Sequence, residues 1–180
     1  MADQDLELVQ RFQNGDESAF NRLVSRHQHK MFNLAYKMIR NIEDAKDLTQ
    51  EVFVKAYQGL KNFKGQSSFS TWLYQIALNS AINYSNSKRW KNLVSLFEVK
   101  EPTAAWGNPI QEMRQDQMNK TIDNAILSLP PKQRAVFVLR HYEELPYQEI
   151  AKMTGRTEGA LKANYFQAVK KLQKKLSHLR

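Results

Sequence analysis

The chain of 180 residues contains no cysteine, which excludes disulfides, zinc–thiolate sites and thiol nucleophiles and removes any need for an oxidising compartment. No stretch approaches the roughly 20 apolar residues that a membrane span requires. The start, "MADQDLELVQRF", is acidic and lacks the basic and apolar segments of a secretory leader. A cytoplasmic chain without membrane insertion is therefore expected. The marks of catalysis are missing as well: there is no glycine-rich phosphate loop, no GxSxG and no HExxH. His27 and His29 diverge on a helix, while His141 and His178 have no partner at ligand spacing. Neither enzyme activity, nor a cofactor, nor a metal site is expected. The last absence is regional, because no Asp or Glu occurs between residues 52 and 97, where Lys55, Lys61, Lys64, Lys88, Arg89 and Lys91 all lie.

What is present is basic. A formal charge of +9 and a pI near 9.7 point to a polyanionic partner, either nucleic acid or an anionic membrane face. The charge is uneven: residues 1–90 carry +3, residues 91–117 carry −1 and residues 118–180 carry +7. Two basic blocks around a joint that is not basic suit two modules on one polyanion.

Hydrophobic spacing is helical throughout, and strand-like alternation is absent. Asp3 is placed to cap a short helix carrying Leu6, Val9 and Phe12, and Asp16 to cap a long one with a stripe from Phe20 to Met38. A third helix is expected over about 43–58 and a fourth after the "GLKNFKGQSS" loop. Pro102, Gly107 and Pro109 interrupt any period in 91–117, which reads as a linker. Beyond it a helix is expected near 119–128, then one with Pro131 in its first turn, then two more after Pro146. The expected fold is all-α: two small helical domains joined by a flexible linker, the C-terminal one a helix-turn-helix.

Three surfaces carry the functional reading. In "YQEIAKMTGRTEGALKANYF", Gly155 supplies a left-handed turn residue and Thr157 a cap, while Leu161, Tyr165, Ala168, Leu172 and Leu176 hold the second helix to the core. Arg156, Thr157, Glu158, Gly159, Lys162, Ala163 and Phe166 then face a DNA groove, with Lys170 near phosphate. On the third helix Asp44, Asp47 and Glu51 share a face away from Ala45, Leu48, Val52 and Ala56, which favours a basic protein partner. On the fourth helix Trp72, Gln75, Asn79, Asn83 and Asn86 form a narrow arc opposite Leu73, Ile76, Ala77, Ala81 and Tyr84. Amides and aromatic faces are what unpaired bases engage, by hydrogen bonding and by stacking.

These segments, in this order, resemble a bacterial RNA polymerase sigma factor of the extracytoplasmic-function type. The matching pieces are "LVQRFQNGDESAFNRLVSRH", "NIEDAKDLTQEVFVKAY", "FKGQSSFSTWLYQIALNSAINY", "LPPKQRAVFVLRHYEELPYQEIAKMTG" and "TEGALKANYFQAVKKL". The resemblance implies a non-catalytic factor that binds core RNA polymerase and promoter DNA, with an anti-sigma protein as a further partner. It implies polymerase docking through Asp44, Asp47, Gln50 and Glu51 within residues 1–90. It implies recognition of the melted −10 element by Phe63, Lys64, Ser70, Thr71, Trp72, Gln75, Asn79 and Asn83, with Lys88 and Arg89 toward phosphate. Residues 118–180 would read the −35 element. Similar sequences often carry an arginine soon after the lysine matching Lys162, whereas Ala163, Asn164, Phe166 and Gln167 stand here, which shifts contact toward thymine methyls. A free-standing helix-turn-helix regulator is the alternative, although it has no use for the acidic face or the amide arc.

Overall fold

A computed structural model of the chain describes the backbone of residues 2–87 and 109–177 and the side chains of residues 4–87 and 118–177. Every regular element among the described residues is helical. The first block holds α1 (Ala2–Gln13), α2 (Ser18–Ile39), α3 (Ile42–Leu60) and α4 (Phe69–Asn86). Asp3 lies inside the first turn of α1 instead of at its cap position. Glu17 occupies the cap position of α2, yet Asp16 performs the capping chemistry, because its carboxylate accepts the Ser18 N–H at 3.0 Å. Asn41 caps α3 through the Asp44 N–H and Ser68 caps α4 through the Thr71 N–H; each side-chain cap is worth about 1 kcal/mol.

The second block holds α5 (Pro109–Leu127), α6 (Pro131–Phe137), a π-helical turn (Val138–Tyr142), α7 (Tyr147–Thr154) and α8 (Glu158–Lys175). Residues 91–108 of the expected linker lie outside the described residues, but 109–117 belong to α5. That helix starts some ten residues before the expected boundary near 119. Pro109 suits a first helical position, since its missing N–H has no partner there anyway, and the residues after it supply no apolar stripe that a periodicity reading would detect. Gly155 adopts the expected left-handed conformation, with φ 66°, and Thr157 caps α8 by accepting the Ala160 N–H.

The two blocks share a core. Leu23, Met31, Leu34, Met38, Leu48, Leu60 and Leu73 of the first block form one continuous buried cluster with Ala135, Val138, Leu139, Ile150 and Leu161 of the second. A smaller cluster, Ala125, Ile126, Leu129, Phe137, Ala168 and Leu172, closes α8 against α5 and α6. Polar contacts pin the junction. Arg134, 1% exposed, donates to the Met38 carbonyl at 2.7 Å across the blocks and to the Leu127 and Leu129 carbonyls within its own. Glu143 receives Lys37 at 2.7 Å and the Tyr74 hydroxyl at 3.4 Å. Arg40 pairs with Asp123 at 3.2 Å and donates to the Tyr142 hydroxyl. The π-helical turn adds one residue per turn at this point, and it delivers Tyr142 and Glu143 to these partners.

Candidate nucleic-acid interface

The four exposed positions of α4 are Gln75, Asn79, Asn83 and Asn86. The other positions on this helix are buried or half-buried, because α1, α2 and α3 pack on one side and α6 and α7 on the other. Leu73, Ala77 and Ala81 are buried as the spacing predicts, Ile76 and Tyr84 are half-buried, and Tyr74, Leu78, Ser80 and Ser85 are buried in addition. The amides are therefore the fully exposed strip of α4. Lys55, at the edge of α3, donates to the buried Ser80 hydroxyl at 2.9 Å and keeps a cation beside that strip.

Trp72 sits at the head of the strip, half-buried. Its ring lies 5.0 Å from that of Phe63 and 6.0 Å from that of Phe69. It also rests on Gly59, where an added Cβ would come within 3.0 Å of Trp72 Cζ2. This indole braces the loop that precedes α4. Lys64 is exposed, while Phe63, Ser70 and Thr71 are half-buried. Ser70 and Thr71 open onto a cleft of about 730 Å³ shared with Glu149, Lys152 and Met153 of α7. Lys88 and Arg89 lie outside the described residues.

On α3 the structure separates the acidic residues. Asp47, Gln50 and Glu51 are exposed and Glu51 pairs with Lys55, but Asp44 is buried at 4%, so it does not join that face. The reason is angular: Asp44 lies four positions, about 40°, from Leu48 on a 100° wheel, which places it at the margin of the packed stripe. Sequence reasoning missed two neighbours. Val54 and Tyr57 are 56% and 38% exposed and line an open apolar groove of about 550 Å³ with Phe20, Val24, Phe53 and Gln50. The signal was available, since 47, 50, 51 and 54 follow the i, i+3, i+4, i+7 spacing of a single helix face.

On α8, Thr157, Gly159, Lys162, Ala163, Phe166 and Lys170 are exposed, while Arg156 and Glu158 are half-buried. Nothing lies within 4 Å of a Cβ built on Gly159, so the interior does not demand glycine there. Lys162 Nζ stands 3.6 Å from Glu158 and 5.7 Å from the centre of the Tyr147 ring. Phe166, at 64%, is the most exposed of the large apolar side chains among the described residues. Thr154, at the turn, satisfies its hydroxyl on the Ile150 carbonyl at 2.7 Å, and Met153 fills the apolar position beside it.

Two family models match this chain: sigma-70 region 2 over residues 23–91 and sigma-70 region 4 over residues 119–172. It is 34% identical to the RNA polymerase sigma-H factor of Pseudomonas aeruginosa, over 98% of this chain and 96% of that one. It is also 34% identical to the ECF RNA polymerase sigma-E factor of Escherichia coli K12, over 96% and 94% respectively. The chain belongs to the extracytoplasmic-function type of sigma-70 factors. A sigma factor directs RNA polymerase to promoters and is not itself a catalyst, which accords with a site made of amides, aromatics and lysines. Among the described residues of this sigma factor no cluster of His, Asp and Glu is arranged to hold a metal ion, and no helix is long and apolar enough to cross a membrane. The same fold occurs in the structure of CnrH in complex with the cytosolic domain of CnrY, at TM-score 0.69 and 22% identity over 99% of each chain. It occurs again in RpoE of Bartonella quintana, in complex with the anti-sigma factor NepR, at TM-score 0.62 and 22% identity, covering 89% of this chain and 98% of that one.

Proposed function

We propose that this sigma factor divides promoter recognition between its two blocks. Residues 1–90 dock on core polymerase through Asp47, Gln50 and Glu51 and capture the melted −10 strand along Gln75, Asn79 and Asn83. Residues 118–180 read the −35 duplex with the N-terminal half of α8. The observation that carries this reading is the exposure of α4, a helix whose fully exposed positions are all amides. An unpaired base offers that row both hydrogen-bonding edges and, at Trp72 and Phe63, stacking faces. On α8, Lys162 and Lys170 supply phosphate contacts, whereas Ala163 and Phe166 suit the methyl groups of thymine. The protein acts in the cytoplasm, and an anti-sigma factor, as in the complex of the Bartonella factor with NepR, is a further partner.

The test is transcription reconstituted from core polymerase, this protein and a promoter library. Promoter-specific initiation is expected, and Gln75→Ala with Asn79→Ala should reduce it about tenfold or more on duplex templates while core affinity is unchanged. Promoter binding in the absence of polymerase, with no initiation in its presence, would instead support a free-standing regulator.

A further inference from the structure

The loop between α3 and α4, residues 61–68, is mostly exposed and turns through Gly65 at φ 67°. Phe63 packs on Trp72 at 5.0 Å and Ser68 caps α4, and further ties reach the loop from helices earlier in the chain. One end is tied directly to α1, a helix that precedes the region 2 match beginning at residue 23, and the other is tied to it through His27 of α2. At the α3 end, Gln13 Nε2 donates to the Leu60 carbonyl at 3.0 Å and to the Phe63 carbonyl at 2.9 Å. These oxygens lie at and just beyond the helix C-terminus, where carbonyls lose their intrahelical partners. At the α4 end, Asp5 and His27 Nε2 share a buried hydrogen bond of 2.7 Å. The His27 ring then meets Phe69, the first residue of α4, edge-on at 5.3 Å. Register between α1 and α3 is set by Phe12 against Tyr57 at 5.2 Å.

We infer that α1 is a brace for the strand-facing loop and that Gln13 is its positioning residue, holding Phe63 and its neighbours in the geometry the melted strand meets. The inference rests on the proposed role of α4. Its physical basis is preorganisation: a loop already held in place does not have to be ordered when the strand binds. Gln13 is itself exposed, so its side chain adds little to the core, and its two amide hydrogen bonds serve the loop.

The measurement uses holoenzyme assembled from core polymerase and the full chain, with the non-template strand of a promoter selected from the library as probe. Gln13→Met keeps the length of the side chain and its neutrality but has no donor. Single-strand capture is expected to fall roughly three- to tenfold, the loss of two modest hydrogen bonds. Core affinity, upstream duplex binding and the salt dependence of capture should not change. Amide exchange in residues 61–68 should quicken while that of the α3 and α4 interiors stays as it was, which a general loss of stability would not produce. If Gln13→Met captures the strand normally while Gln75→Ala does not, the brace is wrong and the role of α4 stands. Should neither variant lose capture, the role of α4 fails and the brace with it. An equal loss of capture, core affinity and upstream binding would also overturn the brace, because Gln13 would then be supporting the fold as a whole.

Discussion

Arg134 shows how much one side chain contributes at the junction of the blocks. Desolvation lowers its pKa to about 10, so the guanidinium remains charged at neutral pH, and burial opposes that charge at any pH below this value. Its carbonyl partners offset the cost through geometry, since a planar fork reaches Met38 on one side and Leu127 and Leu129 on the other. Lysine retains the charge without the fork. Arg134→Lys should therefore lower stability by about 3 kcal/mol, read as a shift in the urea midpoint at unchanged slope. Phe166 is the opposite case, a large apolar side chain exposed on α8. Phe166→Ala should leave the thermal midpoint within about 2 °C, because exposed substitutions stay within roughly 0.5 kcal/mol. It should weaken upstream duplex binding several-fold, and competition between thymine and uracil at the contacted position, which differ by the methyl group alone, would show whether that methyl is read.

At the scale of the element, α3 packs inward on one face and, under the proposed docking, offers the other to core polymerase. Leu48, Val52 and Ala56 pack inward, while Asp47, Gln50, Glu51 and Val54 share the outer face. Replacing Asp47, Gln50 and Glu51 with alanine should weaken core polymerase binding about tenfold or more and leave the unfolding curve in place. Asp44→Ala should do the reverse, costing about 1–3 kcal/mol of stability because Asp44 is buried, with core affinity unchanged in the folded protein. Fluorescence titration against core, paired with thermal unfolding, separates the two outcomes. The α4 strip was legible in the sequence as an arc of amides. What covers its flank was not, because Ser85 and Tyr74 meet Arg134 and Glu143, 49 and 69 residues later in the chain.

For the whole molecule the decisive fact is the shared core. A compact chain of this length is roughly 40 Å across, whereas elements centred near −10 and −35, about 25 base pairs apart, are separated by roughly 85 Å of duplex. Under the proposed division of labour the blocks must part, breaking the Lys37–Glu143 and Arg40–Asp123 pairs and withdrawing Arg134 from Met38. Dyes on Gln58→Cys and Gln173→Cys, both exposed positions in a chain otherwise free of cysteine, should report a longer distance in the promoter complex than in the free protein. Glu143→Ala removes the acceptor for both Lys37 and Tyr74 and should lengthen that distance in the free protein. An unchanged distance on promoter binding would show that the closed body engages DNA as it stands.

Much of this protein was determined by local sequence: the helices, their Ser68, Thr157 and Pro131 starts, the left-handed turn at Gly155 and the order of segments that marks its family. Each depends on residues within a turn or two of one another, where backbone sterics and periodicity suffice. Tertiary structure alone decided that Phe20 and Val24 of α2 join Val54 and Tyr57 in one groove, that Gln13 reaches two carbonyls some fifty residues away and that the blocks share a core. Those outcomes depend on which faces meet across long separations in the chain, and helical periodicity carries no information about the partner.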